Sequence, residues 1–365
     1  MKKAVFILIF LFIFTLTVRA ETDYSGQYEA SGAEELYDLL EGESAGFFDR
    51  LEIDISDPDW VNRLELKGIY EEIAELIKTG FKGPLISCMG MLAVMLFIAV
   101  CSTFPTFAPY SETASYLFVL ASAAGLLAPL FSLIAAAGSA VKGISTLMSG
   151  FIPVYTGILT ASGRGITASG MSYMLLAAAS GVGALSAFVI VPLMSCYLGL
   201  GTVGAMLPTA GVGRLGEAIK KTAMWILSLS LTLFLGLLSV QTAVNAAADN
   251  LGLKTARFVL GSFVPVAGGA LSETLTTLMG SVKLLGSSVG MFGVLAVAFT
   301  VLPPVIELLV WRITFFGLDA AAELLGVRVR TDFLKAADNV MAVLIGVLLF
   351  TAALFIISLA VIAGR

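Results

Sequence analysis

Residues 85–104, LISCMGMLAVMLFIAVCSTF, contain no charged side chain over their whole length. A helix needs about 20 apolar residues to cross the hydrocarbon core of a bilayer. Four more stretches meet this requirement, namely 114–138, 172–198, 223–247 and 338–362. A sixth stretch, about 288–311, is long enough although Pro303 and Pro304 interrupt it. The sequence therefore predicts an all-α polytopic membrane protein with about six transmembrane helices.

The composition agrees with a membrane protein and excludes several function classes. The 365 residues are 58% apolar and 13% charged, whereas a soluble domain has about 25% charged residues. The chain has no histidine, which removes the commonest catalytic base and metal ligand. Its three cysteines, Cys88, Cys101 and Cys196, lie in apolar stretches without CxxC spacing. We therefore expect no enzyme activity, no bound metal or cofactor and no nucleic-acid partner.

The net charge of −5 is distributed unevenly and divides the chain into three parts. Residues 1–20 join a basic start to an apolar stretch, which predicts a signal peptide or, alternatively, an uncleaved anchor helix. Residues 21–83 form an acidic extracytoplasmic segment, because the basic end of such a leader stays inside the cell. Residues 84–365 form the polytopic membrane domain.

The acidic segment contains one strong helical pattern. Asp57 and Pro58 are typical of a helix start, and apolar residues then recur at helical spacing up to Phe81. One interpretation is a docking surface for an extracytoplasmic partner. The other is a solvated amphipathic helix that lies along the membrane surface.

Basic residues near the ends of the spans predict the orientation of the membrane domain. The loop 208–221 contains Arg214, Lys220 and Lys221, and the loop 312–337 contains four further basic residues. Both loops should therefore lie in the cytoplasm. Six spans that start from an extracytoplasmic segment place both loops on that side, and the C-terminus then lies outside.

Two polar, glycine-rich and proline-rich segments, 139–170 and 249–287, are related by a shift of 112 residues. Between 142–159 and 254–271 this shift aligns six identical residues, and it also aligns Pro192 with Pro304. The sequence therefore predicts a tandem repeat in which an interrupted segment follows a span. Such paired interruptions are typical of a transport pathway.

The interrupted segments have three possible structures. They could be re-entrant elements that line a pathway, interfacial helices that kink at proline, or, for residues 144–162, a full span. The candidate pathway residues are the aromatic residues, prolines and glycines that the repeat aligns: Phe151, Pro153, Gly157, Phe263, Pro265 and Gly269.

A few polar and small residues occur within the apolar spans. Gln241 and Glu307 are the polar side chains expected at membrane depth, where an ionisable group is a functional candidate by default. Glu307 has a simpler interpretation, which is an ion pair with Arg312 near the interface. Gly199, Gly201 and Gly204 allow close helix packing and are consistent with a homo-oligomer.

Three short motifs in the second half of the chain resemble the stage III sporulation protein AE family. They are FLGLLSVQ at 234–241, TARF at 255–258, and Gly261 followed by FVPV at 263–266. The order of signal peptide, acidic segment and polytopic body is similar as well. The N-terminal 80 residues resemble the family in kind alone.

The resemblance implies a role in endospore formation. It places the protein in the mother-cell membrane around the forespore, as part of a channel-like or secretion-like complex that links the two cells. The implied partners are other membrane proteins of the stage III sporulation A group, together with the lipid bilayer. Two alternatives remain, an assembly platform for that complex without its own pathway and a general permease-like transporter.

Overall fold

The computed structural model describes residues 35–40, 43–54, 60, 66–161, 174, 177–178, 180–207, 211–230, 232–234, 236–237, 240, 268–325 and 332–363. Two short helices, α1 (Glu35–Asp38) and α2 (Glu43–Arg50), precede the long ones. The long helices are α3 (Leu66–Gly80), α4 (Lys82–Ser102), α5 (Ser111–Ala161), α6 (Val191–Met206), α7 (Gly268–Leu324) and α8 (Asp332–Ala363). A 3₁₀ helix, Pro105–Tyr110, joins α4 to α5, and residues 212–230 are also helical.

Within this part of the chain, five helices are long and apolar enough to cross a membrane. They are Lys67–Ser102, Ser111–Phe151, Ser180–Met206, Ser288–Leu324 and Asp332–Ile356. The all-α polytopic prediction is therefore confirmed. The predicted span 223–247 is helical at every described position from 223 to 240, and residues 241–247 lie outside the described residues.

The interruption predicted after residue 138 is wrong for the first repeated segment. Helix α5 continues for 51 residues, about 76 Å at 1.5 Å per residue, and contains both Pro129 and Pro153. An apolar environment favours an unbroken helix because every free backbone polar group there costs several kcal/mol. Residues 139–161 are thus a continuation of the second span, neither a hairpin nor a separate interfacial helix.

The second repeated segment is described from residue 268 onwards. There the chain enters α7, whose 57 residues correspond to about 85 Å and include Pro303 and Pro304. Gly269 lies in the first turn of this helix. Phe263 and Pro265 lie outside the described residues. Helices α5 and α7 are not equivalent under the shift of 112 residues, which aligns residues 111–161 with 223–273, so the repeat stays a prediction.

Small residues determine how closely neighbouring helices approach each other. Gly138 packs on Val191 and Gly183 packs on Ser145, so α5 and the helix leading into α6 are antiparallel. A Cβ placed on Gly201 would stand 2.4 Å from the Ala336 Cβ, so α6 and α8 nearly touch there. A five-residue π-helical turn, Ser186–Ile190, precedes α6 just before Pro192. Glycine on apolar helices therefore serves close packing here.

The residues that precede α3 pack on the long helices of their own chain. Phe47 stacks on Phe299 at 4.9 Å between ring centroids, and Phe48 contacts Phe292 edge to face at the same distance. The Trp60 indole N–H donates to Ser288 Oγ at 3.0 Å. The aromatic side chains of this segment therefore contact α7 of their own chain.

Helices α3 and α4 form one continuous rod through Phe81, whose backbone is helical. Arg50, three residues after Phe47, bonds Glu72 of α3 at 2.6 Å, while Gly80 at the end of α3 lies against Ile306 and Val310. Since Phe47 lies on Phe299, α3 runs in the same direction as α7. The predicted amphipathic helix therefore continues without a break into the first predicted span.

Candidate functional site

Polar side chains from three helices meet near the start of α8. The Lys220 ammonium group donates to Asn339 Oδ1 at 2.6 Å, and Asn339 Nδ2 donates to the Tyr197 hydroxyl at 3.1 Å. Tyr197 belongs to α6 and Lys220 to the helix 212–230. The amide of Asn339 can both accept and donate, so it connects a cation with a phenol.

Asp338, which precedes Asn339 in α8, binds a residue of α7. The Arg312 guanidinium donates from Nε to Asp338 Oδ1 at 2.6 Å and from Nη2 to Asp338 Oδ2 at 3.3 Å. Such two-pronged pairing is the strongest geometry for an arginine and a carboxylate. In the part of the chain that the structure describes, Arg312 thus pairs with Asp338, where the sequence predicted a pair with Glu307.

These contacts place basic residues of the two predicted loops next to each other on α8. Lys220 and Arg312, one from each loop, bind adjacent residues of α8. The loop boundaries were wrong, however. A helix covers residues 212–230, and α7 extends through Leu324, so much of both predicted loops is helical. Helix ends can carry long basic side chains because the charged groups of these side chains stay in polar surroundings.

An open cavity of about 650 Å³ lies between α2, α3, α5 and α7. It is formed by one residue of α2, the end of α3, the middle of α5 and one face of α7. The lining residues are Ser44, Leu76, Thr79, Gly80, Ala136, Ser139, Ala140, Gly143, Phe299, Thr300, Pro303, Pro304 and Glu307. The cavity thus lies beside the predicted sixth span, at its two prolines.

The cavity has an apolar wall with a few polar groups. The polar side chains are four hydroxyl groups and the Glu307 carboxylate, and none of the lining residues is basic. In the described part of the chain, no group of three or more His, Cys, Asp or Glu could hold a metal ion. Pockets of this size with a few convergent polar groups are typical of ligand-binding sites.

The segment that borders the cavity has its own polar anchor. The Tyr37 hydroxyl donates to Asp49 Oδ1, which joins α1 to α2. This hydrogen bond, together with burial and the charges of Asp49 and Asp54, raises the pKa of Tyr37 from 10.0 to about 12. A raised tyrosine pKa stabilises the fold below about pH 10, and this contribution is lost as the pH rises towards 12.

Three of the predicted pathway residues lie in the last part of α5 and do not line the cavity. Phe151 is buried and contacts Phe355 of α8 edge to face at 5.5 Å. Pro153 and Gly157 lie on an exposed face of α5, and neither lines the cavity. Phe263, Pro265 and Gln241 lie outside the described residues. Of the predicted site residues, Glu307 lines the cavity.

Sequence reasoning missed the polar junction and most of the cavity. Tyr197, Asp338 and Asn339 appear in the sequence at the ends of apolar stretches, where polar residues are common. The sequence carries a signal at Pro303 and Pro304, two adjacent prolines inside the apolar stretch that also contains Glu307. No pattern indicates that α3 would supply Leu76 and Thr79 to the same cavity.

This architecture defines an all-α, polytopic membrane protein with an open, mostly apolar cavity among its long helices. The model of the family described as stage III sporulation protein AE matches residues 61–365. The chain therefore belongs to the stage III sporulation protein AE family, as the three motifs indicate.

A curated relative supports this assignment over part of the chain. The stage III sporulation protein AE of Bacillus subtilis (strain 168) is 30% identical over 158 residues. This alignment covers 43% of the present chain and 40% of the relative. No solved structure matches the chain.

Proposed function

We propose that this chain is an integral membrane component of a channel-like complex between mother cell and forespore, with its open cavity forming part of the pathway. Family membership supports the sporulation role. The cavity of about 650 Å³ is the observation that supports the pathway role. In this proposal the chain is not an enzyme, its N-terminal segment is extracytoplasmic, and other membrane proteins of the stage III sporulation A group are its partners.

The position of the cavity favours this role. It lies where α7 carries two prolines, on the half of α7 that also contacts the N-terminal segment through Phe299. Three lining residues, Thr79, Ala136 and Ser139, are exposed, so the cavity is open to its surroundings. An open cavity with hydroxyl groups and a carboxylate can admit water and polar solutes into an otherwise apolar body.

Filling the cavity tests the proposal. A Cβ on Gly143 would stand at an ordinary 3.7 Å from Thr300 Cγ2, so the backbone tolerates a side chain there. The larger side chain of Gly143→Leu would then occupy cavity space. We expect at least a tenfold loss of heat-resistant spores when this variant replaces the native chain in its host, with an unchanged amount of protein in the membrane fraction.

Gly317→Leu is the matched control. Gly317 lies on the same helix as the prolines, is exposed and has no neighbouring atom within 4 Å of the position that a Cβ would take. This variant should sporulate normally. Normal sporulation of Gly143→Leu would contradict the pathway role, and normal sporulation after deletion of the whole coding region would contradict the sporulation role itself.

The platform alternative is supported by a different observation. Helix α4 exposes several large apolar side chains, among them Met89, Leu96 and Phe97, which could contact partner helices as well as lipid. On this alternative, polar substitutions such as Phe97→Ser would abolish co-purification of the partner proteins, and Gly143→Leu would have no effect. The same two variants therefore distinguish a pathway from a platform.

A further inference from the structure

The polar junction formed by Lys220, Asn339 and Tyr197 has more hydrogen-bond donors than it uses. An ammonium group has three N–H groups, a side-chain amide has two, and a phenol has one O–H group. Within the described part of the chain, the three side chains make two hydrogen bonds, and both lie inside the network. Lys220 and Asn339 are partly exposed, so the remaining donors can be reached by a ligand.

The chemistry of the three groups fixes the direction of both hydrogen bonds. An ammonium group can only donate, so the Asn339 oxygen faces Lys220 and the Asn339 amino group faces Tyr197. The Tyr197 hydroxyl therefore accepts from Asn339 and keeps its own proton for donation. Both ends of the network are donors, which is the arrangement that an anionic acceptor requires.

The two ends of the network lie close enough for one anionic group. The Lys220 Nζ is 2.6 Å from Asn339 Oδ1, and the Tyr197 hydroxyl is 3.1 Å from Asn339 Nδ2. The amide group joins these two atoms through its C–O and C–N bonds, so at most about 8 Å separates the ammonium from the hydroxyl. A phosphate group that accepts one hydrogen bond from each can bridge this distance.

Basic side chains are in excess around the network. Lys221 is exposed beside Lys220, and Lys335 is exposed on α8 one turn before the amide of the network. The neighbouring ion pair between α7 and α8 is neutral. Three lysines thus outnumber the two further carboxylates, Glu217 and Asp332, that lie within about one turn of them. The surroundings of the network therefore favour a negatively charged ligand.

An exposed apolar stripe continues from this basic group along the helix 212–230 and its described positions up to residue 240. Intervals of four residues place its members on one side of the helix, in the order Lys221, Trp225, Leu229, Leu233 and Leu237. Tryptophan is enriched at the headgroup level of a bilayer, and leucine suits the hydrocarbon core. The stripe therefore has the same order of polarity as a phospholipid, from headgroup to acyl chain.

We infer that an anionic phospholipid binds at this junction, with its phosphate on Lys220, Lys221 and the Tyr197 hydroxyl and with one acyl chain along the stripe. Basic pockets between membrane helices are typical sites for anionic headgroups. The stripe favours a lipid over a free anion, because a free anion leaves the leucines without a partner. Lipid binding at this place does not depend on the role of the chain in sporulation or on its cavity.

Tryptophan quenching in lipid nanodiscs tests this binding with the purified full-length chain. Of the three tryptophans, Trp60 and Trp311 are 3% exposed and Trp225 is 65% exposed, so lipid contact is reported mainly by Trp225. Nanodiscs of phosphatidylcholine would contain increasing mole fractions of either brominated phosphatidylglycerol or brominated phosphatidylcholine. We expect the anionic lipid to reach half-maximal quenching at an at least threefold lower mole fraction. Trp225→Phe should abolish this preference.

Three variants separate phosphate binding from structural support. Lys220→Gln and Lys221→Gln should each lower the preference at least twofold, because each lysine near a membrane surface attracts anionic lipid. Lys221 is exposed, so its substitution should leave the thermal midpoint unchanged. Tyr197→Phe keeps the ring and removes the hydroxyl, and it should also lower the preference at least twofold. A purely structural role of Tyr197 predicts a lower thermal midpoint with an unchanged preference.

Two controls identify the ligand and the place. Lys142→Gln removes an exposed lysine of α5 and should keep the native preference. Inorganic phosphate, added at constant ionic strength, should not reverse the quenching, because it has no acyl chain. The proposed lipid site is wrong if the two brominated lipids quench equally, if the preference survives in Trp225→Phe, Lys221→Gln or Tyr197→Phe, if Lys142→Gln loses it equally, or if inorganic phosphate displaces the lipid.

Discussion

Two helices of this protein have the same apolar character and opposite surroundings. In their most apolar 18 residues, the rod formed by α3 and α4 has a mean hydropathy of 2.4 and α8 one of 2.5. In the rod, 22% of these residues are buried inside the protein, against 61% in α8. Hydropathy therefore identifies both as spans and does not distinguish a lipid-facing helix from a central one.

The difference arises from where each helix lies along α7. Helix α8 pairs with α7 through Asp338 and Arg312 and with α5 through Phe355 and Phe151. The α4 part of the rod begins just beyond Gly80, which lies against Ile306 and Val310, and continues in the direction of α7. Helix α8 is thus surrounded by long neighbours, whereas α4 extends along the outer side of the bundle.

Packing in this protein therefore depends on helix length as well as on hydropathy. Helices α5 and α7, with 51 and 57 residues, exceed the thickness of a bilayer and have room for several partner helices along their length. Both α4 and α8 pack on α5 and α7, and α4 leaves side chains such as Leu96 and Phe97 exposed.

Truncating a leucine in each helix should give the largest contrast. Leu348 of α8 is fully buried, and Leu96 of α4 is 50% exposed. We expect Leu348→Ala to lower the free energy of unfolding by about 2–4 kcal/mol, because it leaves a cavity among packed helices. Leu96→Ala should cost less than about 0.5 kcal/mol. Reversible unfolding in mixed detergent micelles measures the free energy of unfolding of both variants. Equal losses would contradict the difference in burial between α8 and α4.

Adding a methyl group to glycine should have the next largest effect. A Cβ on Gly201 would stand 2.4 Å from Ala336 Cβ, so Gly201→Ala must push α6 away from α8. We expect a loss of about 1–3 kcal/mol. Gly199→Ala is the matched control because it has no neighbouring atom within 4 Å. Its thermal midpoint should stay the same or rise, and a comparable drop in both variants would show that packing on α8 is not the cause.

Removing ion pairs should give the smallest contrast. The Arg312–Asp338 pair is partly buried, with side-chain exposures of 27% and 38%, whereas the Lys67–Glu71 pair on α3 is 80% and 70% exposed. A double-mutant cycle with Arg312→Gln and Asp338→Asn should give a coupling energy of about 1–2 kcal/mol. The equivalent cycle at Lys67 and Glu71 should give about 0.3–0.5 kcal/mol. Equal coupling energies would mean that partial burial does not strengthen the Arg312–Asp338 ion pair.

Much of the helical organisation could be predicted because the bilayer imposes simple rules. Apolar length identified the spans that contain Met91, Leu295 and Leu344, and the family motifs identified the class of protein. The continuous helices through Pro129, Pro153 and Pro303 could not be predicted in the same way. Proline breaks helices in water, whereas an apolar environment and neighbouring helices preserve them.

One residue of the candidate site, Glu307, could be predicted from the sequence. Glu307 could be singled out since a carboxylate in an apolar stretch is rare and costly. Its surroundings depend on residues far apart in the sequence, such as Ser44, Thr79 and Gly143, which no local pattern connects. For the same reason, the partner of Arg312 could not be identified as Asp338 from proximity along the chain.

The sequence by itself determined that this chain is helical, that it crosses a membrane several times and that it resembles a sporulation family. These properties follow from apolar length and from short motifs, both of which are local. The tertiary structure alone decided which spans form the core, how the N-terminal aromatic residues reach α7, and which residues surround Glu307. These properties depend on contacts between residues separated by up to several hundred positions, and lipid and protein interior are equally apolar, so hydropathy cannot distinguish them.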